Sequence, residues 1–117
     1  MERLLRAAVN SWNGLLAATR SEEAFRQELF VLLLAVPLAF LVAEATWKRL
    51  ALIASVLLLL VVELLNTAIE KLADQVSREI DPQIGRIKDM GSAAVGLTIV
   101  IVGLAWLLAL AERFGLI

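Results

Sequence analysis

Three long apolar runs constrain the fold of this chain more than any other feature of its sequence. Leu29–Ala43 is fifteen residues without a charged side chain, and Met90–Ala111 is twenty-two. Between them, the twenty residues of Leu50–Ile69 contain one charged side chain, Glu63. Apolar runs of about 20 residues are typical of helices that cross a bilayer. The shorter first run reaches this length when its flanks are included, so the sequence predicts three membrane-spanning helices.

Composition narrows the chemistry that such a protein can perform. The chain has 117 residues, enough for one domain, and is 61% hydrophobic. It has no Cys and no His, which excludes disulfides, thiol nucleophiles, imidazole bases and the usual zinc ligands. A bound metal would need carboxylate, carbonyl, phosphate or water oxygens, which favour ions like Mg²⁺. The net charge of −1 gives no case for nucleic-acid binding.

The pattern predicts an all-α membrane protein in which an amphipathic surface helix precedes the three spans. In the first twenty residues, Leu5, Val9 and Trp12 share one face, and Arg6 and Asn13 lie on the other. This helix could lie in the membrane interface or pack against the protein's own bundle. A single domain is expected over residues 1–117, with a surface helix at 1–20, spans at about 25–47, 50–70 and 90–111, and a cytoplasmic connection at 71–89.

Local signals refine these boundaries. Ser21 precedes two acids and is expected to cap the first span. Lys48-Arg49 is expected to form the turn before the second span. Ser92, Gly96 and Gly103 place small side chains along the third span, where they favour close helix packing.

The distribution of Lys and Arg predicts the orientation. Eight of the eleven basic residues, including Arg78, lie in the N-terminal segment and the long connection. Lys48, Arg49 and Arg113 lie on the other side. Because cytoplasmic segments carry the excess of basic residues, the N-terminus and the connection are expected in the cytoplasm.

A stripe of polar residues follows the second span. Glu63, Asn66, Glu70 and Asp74 recur at helical spacing and therefore share one helix face. A carboxylate at membrane depth costs a few kcal/mol and marks a candidate functional site. Asn66 could support Glu63 or bond another helix.

The predicted orientation brings further polar groups to the same membrane face. Lys88-Asp89 precedes the third span, and a lysine beside a helix N-terminus near Met90 is a plausible phosphate site. Glu22 and Glu70 could hold Mg²⁺ together with phosphate oxygens. Glu63 lies about 10 Å deeper along the helix, where a general base could meet a lipid hydroxyl. This arrangement suits phosphoryl transfer from a nucleotide to a lipid alcohol.

Two alternatives from other classes remain open at this point. Glu63 could be the carrier of a proton- or ion-translocating oligomer, which would not need the other polar groups around a nucleotide. The stripe could also belong to a structural membrane subunit and only guide its assembly.

Four stretches resemble the prokaryotic integral-membrane diacylglycerol kinases. They are Ser11–Leu15, Glu22–Glu28, Val62–Glu70 and Gly85–Val95, which read SWNGL, EEAFRQE, VELLNTAIE and GRIKDMGSAAV. The resemblance implies an ATP-dependent enzyme of the bacterial inner membrane that makes phosphatidic acid from diacylglycerol. It also implies a homotrimer with active sites shared between subunits. A related branch phosphorylates undecaprenol, and the sequence Lys88–Ser92 favours the diacylglycerol branch.

The same resemblance assigns roles to individual residues. Glu63 would be the catalytic base, and Glu22 and Glu70 would bind Mg²⁺ with ATP. The implied ATP contacts are Arg3, Asn10, Glu22, Glu70, Glu79, Ile80, Asp81, Lys88 and Asp89. The implied lipid contacts are Arg3, Trp12, Ala24, Phe25, Arg26, Gln27, Glu28, Arg49, Glu63 and Ser92.

Overall fold

Four α-helices make up the fold of the described residues. The structure is a computed structural model that describes residues 1–77 and 79–117; Arg78 lies outside the described residues. The helices are α1 (Glu2–Ser21), α2 (Glu23–Val42), α3 (Thr46–Val76) and α4 (Pro82–Arg113). By length and composition α2, α3 and α4 could each cross a membrane. The predicted all-α architecture with three spans is confirmed.

Helices α3 and α4 pack as an antiparallel pair. Trp106 Nε1 donates a hydrogen bond to the carbonyl oxygen of Leu52 at 3.3 Å. Lys48 pairs with Glu112 at one end of this seam, and Lys88 pairs with Asp74 toward the other.

Helix α2 packs on α3 through two small apolar clusters. Ala39 and Ala43 pack with Leu52 near the turn between these helices. Phe25 packs with Ala18 and Leu60 at the opposite end, which also fixes the C-terminal part of α1 to the bundle. Each cluster contains alanines, and small side chains let helix backbones approach closely.

Two helices begin earlier than the predicted spans. Helix α3 begins at Thr46, so Lys48-Arg49 lies in its first turn and is not the connecting turn. Helix α4 begins at Pro82 instead of near Met90. Asp81 caps this earlier start, since its Oδ1 accepts a hydrogen bond from Gln83 N at 2.8 Å. An acidic cap followed by proline is a strong helix start, and it outweighs the polarity of the residues that follow.

The expectation that Ser21 caps the first span is wrong. Helix α1 continues through Ser21, whose Oγ donates to the carbonyl oxygen of Ala17 at 2.9 Å. Serine can bond back to the carbonyl four residues earlier, and here this bond replaces a cap. Glu22 alone separates α1 from α2, with an extended backbone. Arg26 Nη1 then bonds the carbonyl oxygens of Thr19 and Arg20 at 3.0 and 3.2 Å and closes the end of α1.

Much apolar surface is exposed on the single chain. On α1, Leu5, Val9 and Trp12 are exposed, so this face does not pack against the chain's own bundle. On α4, Gly91 and Thr98 are the buried residues among those described. An apolar face of this kind requires lipid or another protein chain to cover it.

Gly96 and Gly103 do not pack closely against another helix of the same chain, so their expected packing role stays a prediction. A Cβ atom at either position would meet nothing within 4 Å. Ser92 is likewise exposed. The close approach between α3 and α4 occurs at Gly91, which is buried against Asn66.

Candidate active site

The polar stripe lies on one face of α3 and passes from buried to exposed along the helix. Helix α3 is continuous from Thr46 to Val76, so its polar residues keep their helical register. Glu63 and Asn66 are buried, with exposed fractions of 9% and 8%. Glu70 is half-buried and Asp74 is exposed. The stripe therefore links the interior of the bundle to the surface at the end of α3.

Carboxylates from α2 and α3 gather around Glu63. The charges of Glu70 and Glu22 both act on the Glu63 carboxylate by Coulombic repulsion. Glu28, half-buried on α2, lies close enough to Glu63 to be repelled by it as well. Because like charges repel one another, this cluster favours the binding of a cation.

One cation lies beside this cluster. Lys71 Nζ is 3.7 Å from Glu22 Oε2 and also donates to Ser21 Oγ at 3.1 Å. Lys71 thus fixes the junction of α1 and α2 to α3. It is largely exposed, so its attraction for Glu22 is weakened by solvent.

Asn66 was expected to support Glu63 or to bond another helix, but its hydrogen bond goes to Glu70 on its own helix. Its Nδ2 donates to Glu70 Oε1, one turn along α3, at 3.2 Å. Two buried oxygen atoms of the described residues, Asn66 Oδ1 and Glu28 Oε2, have no hydrogen-bond partner. Buried polar atoms without partners are rare and costly, and they mark sites where function opposes stability.

The expected phosphate site at a helix start near Met90 is wrong. Helix α4 begins at Pro82, so the N–H groups near Met90 lie inside the helix and are already bonded. Lys88 remains near the stripe through its ion pair with Asp74. Asp89 and Ser92 are exposed on the next turn of α4.

The residues predicted to contact ATP are dispersed in this chain. Glu79, Ile80 and Asp81 are exposed between α3 and α4. Arg3 and Asn10 are exposed on α1. Arg3 precedes Ala18, the residue that fixes α1 to the bundle, by a helical length of about 22 Å. These five residues belong to two separate segments of the chain, and their role stays a prediction.

The residues predicted to contact the lipid also have different surroundings. Phe25 is a core residue, with an exposed fraction of 2%. Arg26 is engaged by the carbonyl groups at the end of α1. Ala24, Gln27 and Trp12 are exposed.

Arg49 lies far from the carboxylate cluster. It precedes Glu63 by fourteen residues, which is about 21 Å along α3. Its Nε donates to the carbonyl oxygen of Ala43 at 2.8 Å, and its guanidinium lies 4.6 Å from the centre of the Phe40 ring. The structure therefore does not bring Arg49 to Glu63.

The donor chemistry around Glu63 fits a hard divalent cation. Among residues 1–77 and 79–117, no three acidic side chains are arranged to hold a metal ion by themselves. Glu22 offers carboxylate oxygens from the junction of α1 and α2, and Glu70 offers them from α3. Mg²⁺ commonly binds one or two carboxylates and completes its shell with phosphate oxygens and water. This pair is therefore compatible with a metal that arrives together with phosphates.

Two contacts of the site were missed from the sequence. The first is the pairing of Lys71 with Glu22. The position of Lys71 directly after Glu70 in the sequence could have indicated a cation beside the acidic residues. Gly91, next to the phosphate site expected near Met90, packs against Asn66. Neither partner could be identified from spacing, because each contact joins different helices.

Glu63 is buried, half-buried carboxylates lie beside it, and three helices of the fold could cross a membrane, so these residues define a candidate functional site of a membrane protein. The family model for prokaryotic diacylglycerol kinase matches residues 9–110, and the chain belongs to this family. It is therefore a lipid kinase and a membrane protein.

Individual relatives support the same assignment over nearly the whole chain. The diacylglycerol kinase of Escherichia coli is 44% identical over 113 residues, which cover 97% of this chain and 93% of that protein. The diacylglycerol kinase of Pseudomonas aeruginosa is 42% identical over 106 residues, covering 91% of this chain and 86% of that protein. The diacylglycerol kinase of Haemophilus influenzae is 38% identical over 106 residues, which cover 91% of this chain and 90% of that protein.

Proposed function

We propose that this chain phosphorylates diacylglycerol with ATP and Mg²⁺ and forms phosphatidic acid. The observation that carries the proposal is the burial of Glu63 among apolar helices, within Coulombic range of Glu22 and Glu70. The relatives named above are diacylglycerol kinases, which supports diacylglycerol as the acceptor.

Glu63 is the proposed general base. As the lipid hydroxyl attacks the γ-phosphorus of ATP, its proton passes to the Glu63 carboxylate, and the bond to the β-phosphate breaks to release ADP. A general base contributes about 10²- to 10⁴-fold to such a step. In this proposal, Glu63 lies at the depth of the hydroxyl at the head of a membrane lipid.

Glu22 and Glu70 are the proposed holders of Mg²⁺ at the nucleotide phosphates. The ion, when bound, neutralises charge on the phosphate oxygens during transfer. Lys88 supplies a further positive charge to the nucleotide from α4, once it leaves Asp74. Arg3, Asn10, Glu79, Ile80, Asp81 and Asp89 complete the proposed nucleotide contacts.

Phosphoryl transfer to the two candidate lipids tests the proposal. Purified protein in mixed micelles is given labelled ATP, Mg²⁺ and either diacylglycerol or undecaprenol. We expect label in phosphatidic acid and little in undecaprenyl phosphate. Faster transfer to undecaprenol would identify the chain with the undecaprenol branch, and no transfer to either lipid would contradict the kinase mechanism.

We further propose that the chain, as one domain over residues 1–117, assembles into a homotrimer. The exposed apolar surface of α4 supports assembly, because neighbouring subunits could cover it. Neighbouring subunits could also contribute the nucleotide contacts that lie on separate segments of one chain. Mass determination in detergent, corrected for bound detergent, tests this. A monomer with full activity would contradict it.

The proposed orientation has the N-terminus and the active site in the cytoplasm of a bacterial inner membrane. Lys48, Arg49 and Arg113 lie together at the end of the bundle away from Glu63, which supports the unequal charge distribution. The chain has no Cys, so single cysteines can be introduced near Arg3 and Arg113 and labelled in intact cells. Labelling near Arg3 by an impermeant reagent would contradict the orientation.

A further inference from the structure

Gly91 on α4 lies directly against Asn66 on α3. A Cβ atom at Gly91 would overlap Asn66 Oδ1, whereas a Cβ at any of the other five glycines would meet nothing within 4 Å. Both residues are buried. A side chain at position 91 would therefore displace the Asn66 amide, whereas the helical backbone of Gly91 itself does not call for glycine.

The orientation of the Asn66 amide follows from its two neighbours. An ionised carboxylate only accepts hydrogen bonds, so the amide nitrogen faces Glu70, to which it donates at 3.2 Å. The amide oxygen then faces Gly91, and it has no N–H or O–H donor.

We infer that Asn66 and Gly91 are positioning residues for the Glu70 carboxylate. Asn66 donates to Glu70, and the absence of a side chain at Gly91 leaves room for the amide in the orientation that this bond requires. If that room is filled, the amide must rotate or the helices must separate, and Glu70 loses its donor. This inference rests on the proposed function, in which Glu70 binds the metal–nucleotide complex.

The same segment of α4 carries Lys88, one turn before Gly91. Lys88 pairs with Asp74, which lies one turn beyond Glu70 on α3. The contact between Gly91 and Asn66 therefore also sets the distance between Lys88 and Glu70. A change at Gly91 should weaken binding of the nucleotide with its metal and leave the acceptor lipid largely unaffected.

The test compares Gly91→Ala with Gly96→Ala in the full-length protein. Both changes replace a helical glycine by alanine, so both bring the same gain in helix propensity. The probe is Mn²⁺ with a non-hydrolysable ATP analogue, and binding is measured by loss of the free Mn²⁺ resonance signal. Partners of a metal ligand contribute about 10- to 100-fold to metal affinity. For Gly91→Ala we expect at least about tenfold weaker binding and an unchanged KM for diacylglycerol. For Gly96→Ala we expect no loss of binding.

A second variant removes the amide without adding any atoms. Asn66→Ala should weaken Mn²⁺–nucleotide binding as much as Gly91→Ala does, and it creates no steric overlap that could prevent folding. In the Asn66→Ala background, Gly91→Ala should have no further effect, because the atom with which its Cβ collides is gone. Thermal unfolding of all variants shows whether each is folded.

The outcomes separate this inference from the proposed function. If Glu70→Gln abolishes probe binding while Gly91→Ala and Asn66→Ala bind normally, the positioning role is wrong and the metal role of Glu70 stands. Additive losses in the double variant would also contradict the inference. If Glu70→Gln binds the probe as well as the unchanged protein does, the proposed metal role itself is wrong.

Discussion

The two ends of the α3–α4 pair differ in how their charges are compensated. At the Lys48 end, defined by Lys48, Arg49, Glu112 and Arg113, each basic side chain has a partner: Glu112, the carbonyl of Ala43 or the carbonyl of Leu41. At the Glu63 end, defined by Glu22, Glu28, Glu63, Asn66 and Glu70, four carboxylates repel one another, and Lys71 pairs with Glu22. Two buried oxygens there have no partner.

The difference suggests that the Lys48 end stabilises the fold, whereas the Glu63 end is arranged to bind a ligand. Basic residues and carbonyl groups at the Lys48 end satisfy each other, which favours the folded state at little cost. The Glu63 end keeps repulsive charges and unpartnered oxygens, and such groups are retained where a protein must bind something. A substrate or metal that supplies positive charge and hydrogen bonds would remove the cost.

The largest effect is expected from Glu63→Gln at the Glu63 end. The amide cannot accept the proton of the lipid hydroxyl, so kcat should fall at least about 100-fold. Affinity for ATP should be nearly unchanged, because the base acts on the acceptor. Steady-state rates and nucleotide binding are measured side by side, with Glu112→Gln at the Lys48 end as the matched control. A loss of ATP affinity as large as the loss of rate would contradict the role of base.

Glu70→Gln should have the next largest effect. The change removes a charged oxygen ligand and also alters the acceptor of Asn66 Nδ2. The Mg²⁺ concentration for half-maximal rate should rise at least about tenfold, since even outer partners of metal ligands contribute that much. Rates are measured across a Mg²⁺ titration at saturating lipid. An unchanged Mg²⁺ dependence would argue that Glu70 belongs to the structure and not to the metal site.

Asp74→Asn should slightly improve nucleotide binding, whereas the preceding changes impair the enzyme. Lys88 pairs with Asp74 on the surface, and this pair competes with nucleotide phosphates for the lysine. An exposed ion pair is worth up to about 1 kcal/mol, so the KM for ATP should fall by at most about fivefold. The KM is measured at fixed free Mg²⁺. An increase in KM would mean that Asp74 holds Lys88 in position for the nucleotide.

The smallest effect is expected from Lys48→Gln at the Lys48 end. Lys48 and its partner Glu112 are both partly exposed, so the free energy of unfolding should change by less than about 1 kcal/mol. Kinetic constants for ATP and lipid should stay within about twofold of the unchanged protein. Thermal unfolding in detergent and steady-state kinetics measure the two quantities. A large kinetic effect would show that the two ends are coupled.

The spans and the polar stripe could be predicted from sequence because both depend on local patterns. Run length and charge predict a membrane helix, and spacing along one helix puts Glu63, Asn66 and Glu70 on one face. The helix starts at Thr46 and Pro82 were missed, since polar residues were interpreted as connections although they continue the helices. The error at Pro82 also produced the wrong phosphate site near Met90.

The sequence by itself determined the class of protein, the number of spans and the residue types available for chemistry. Those follow from hydrophobic length, from one charge inside an apolar run and from the absence of His and Cys. The tertiary structure decided which groups meet: Lys71 with Glu22, Asn66 Nδ2 with Glu70, and Asn66 Oδ1 with Gly91. Contacts between helices depend on the register and distance at which the helices pack, and no periodicity within one helix specifies either.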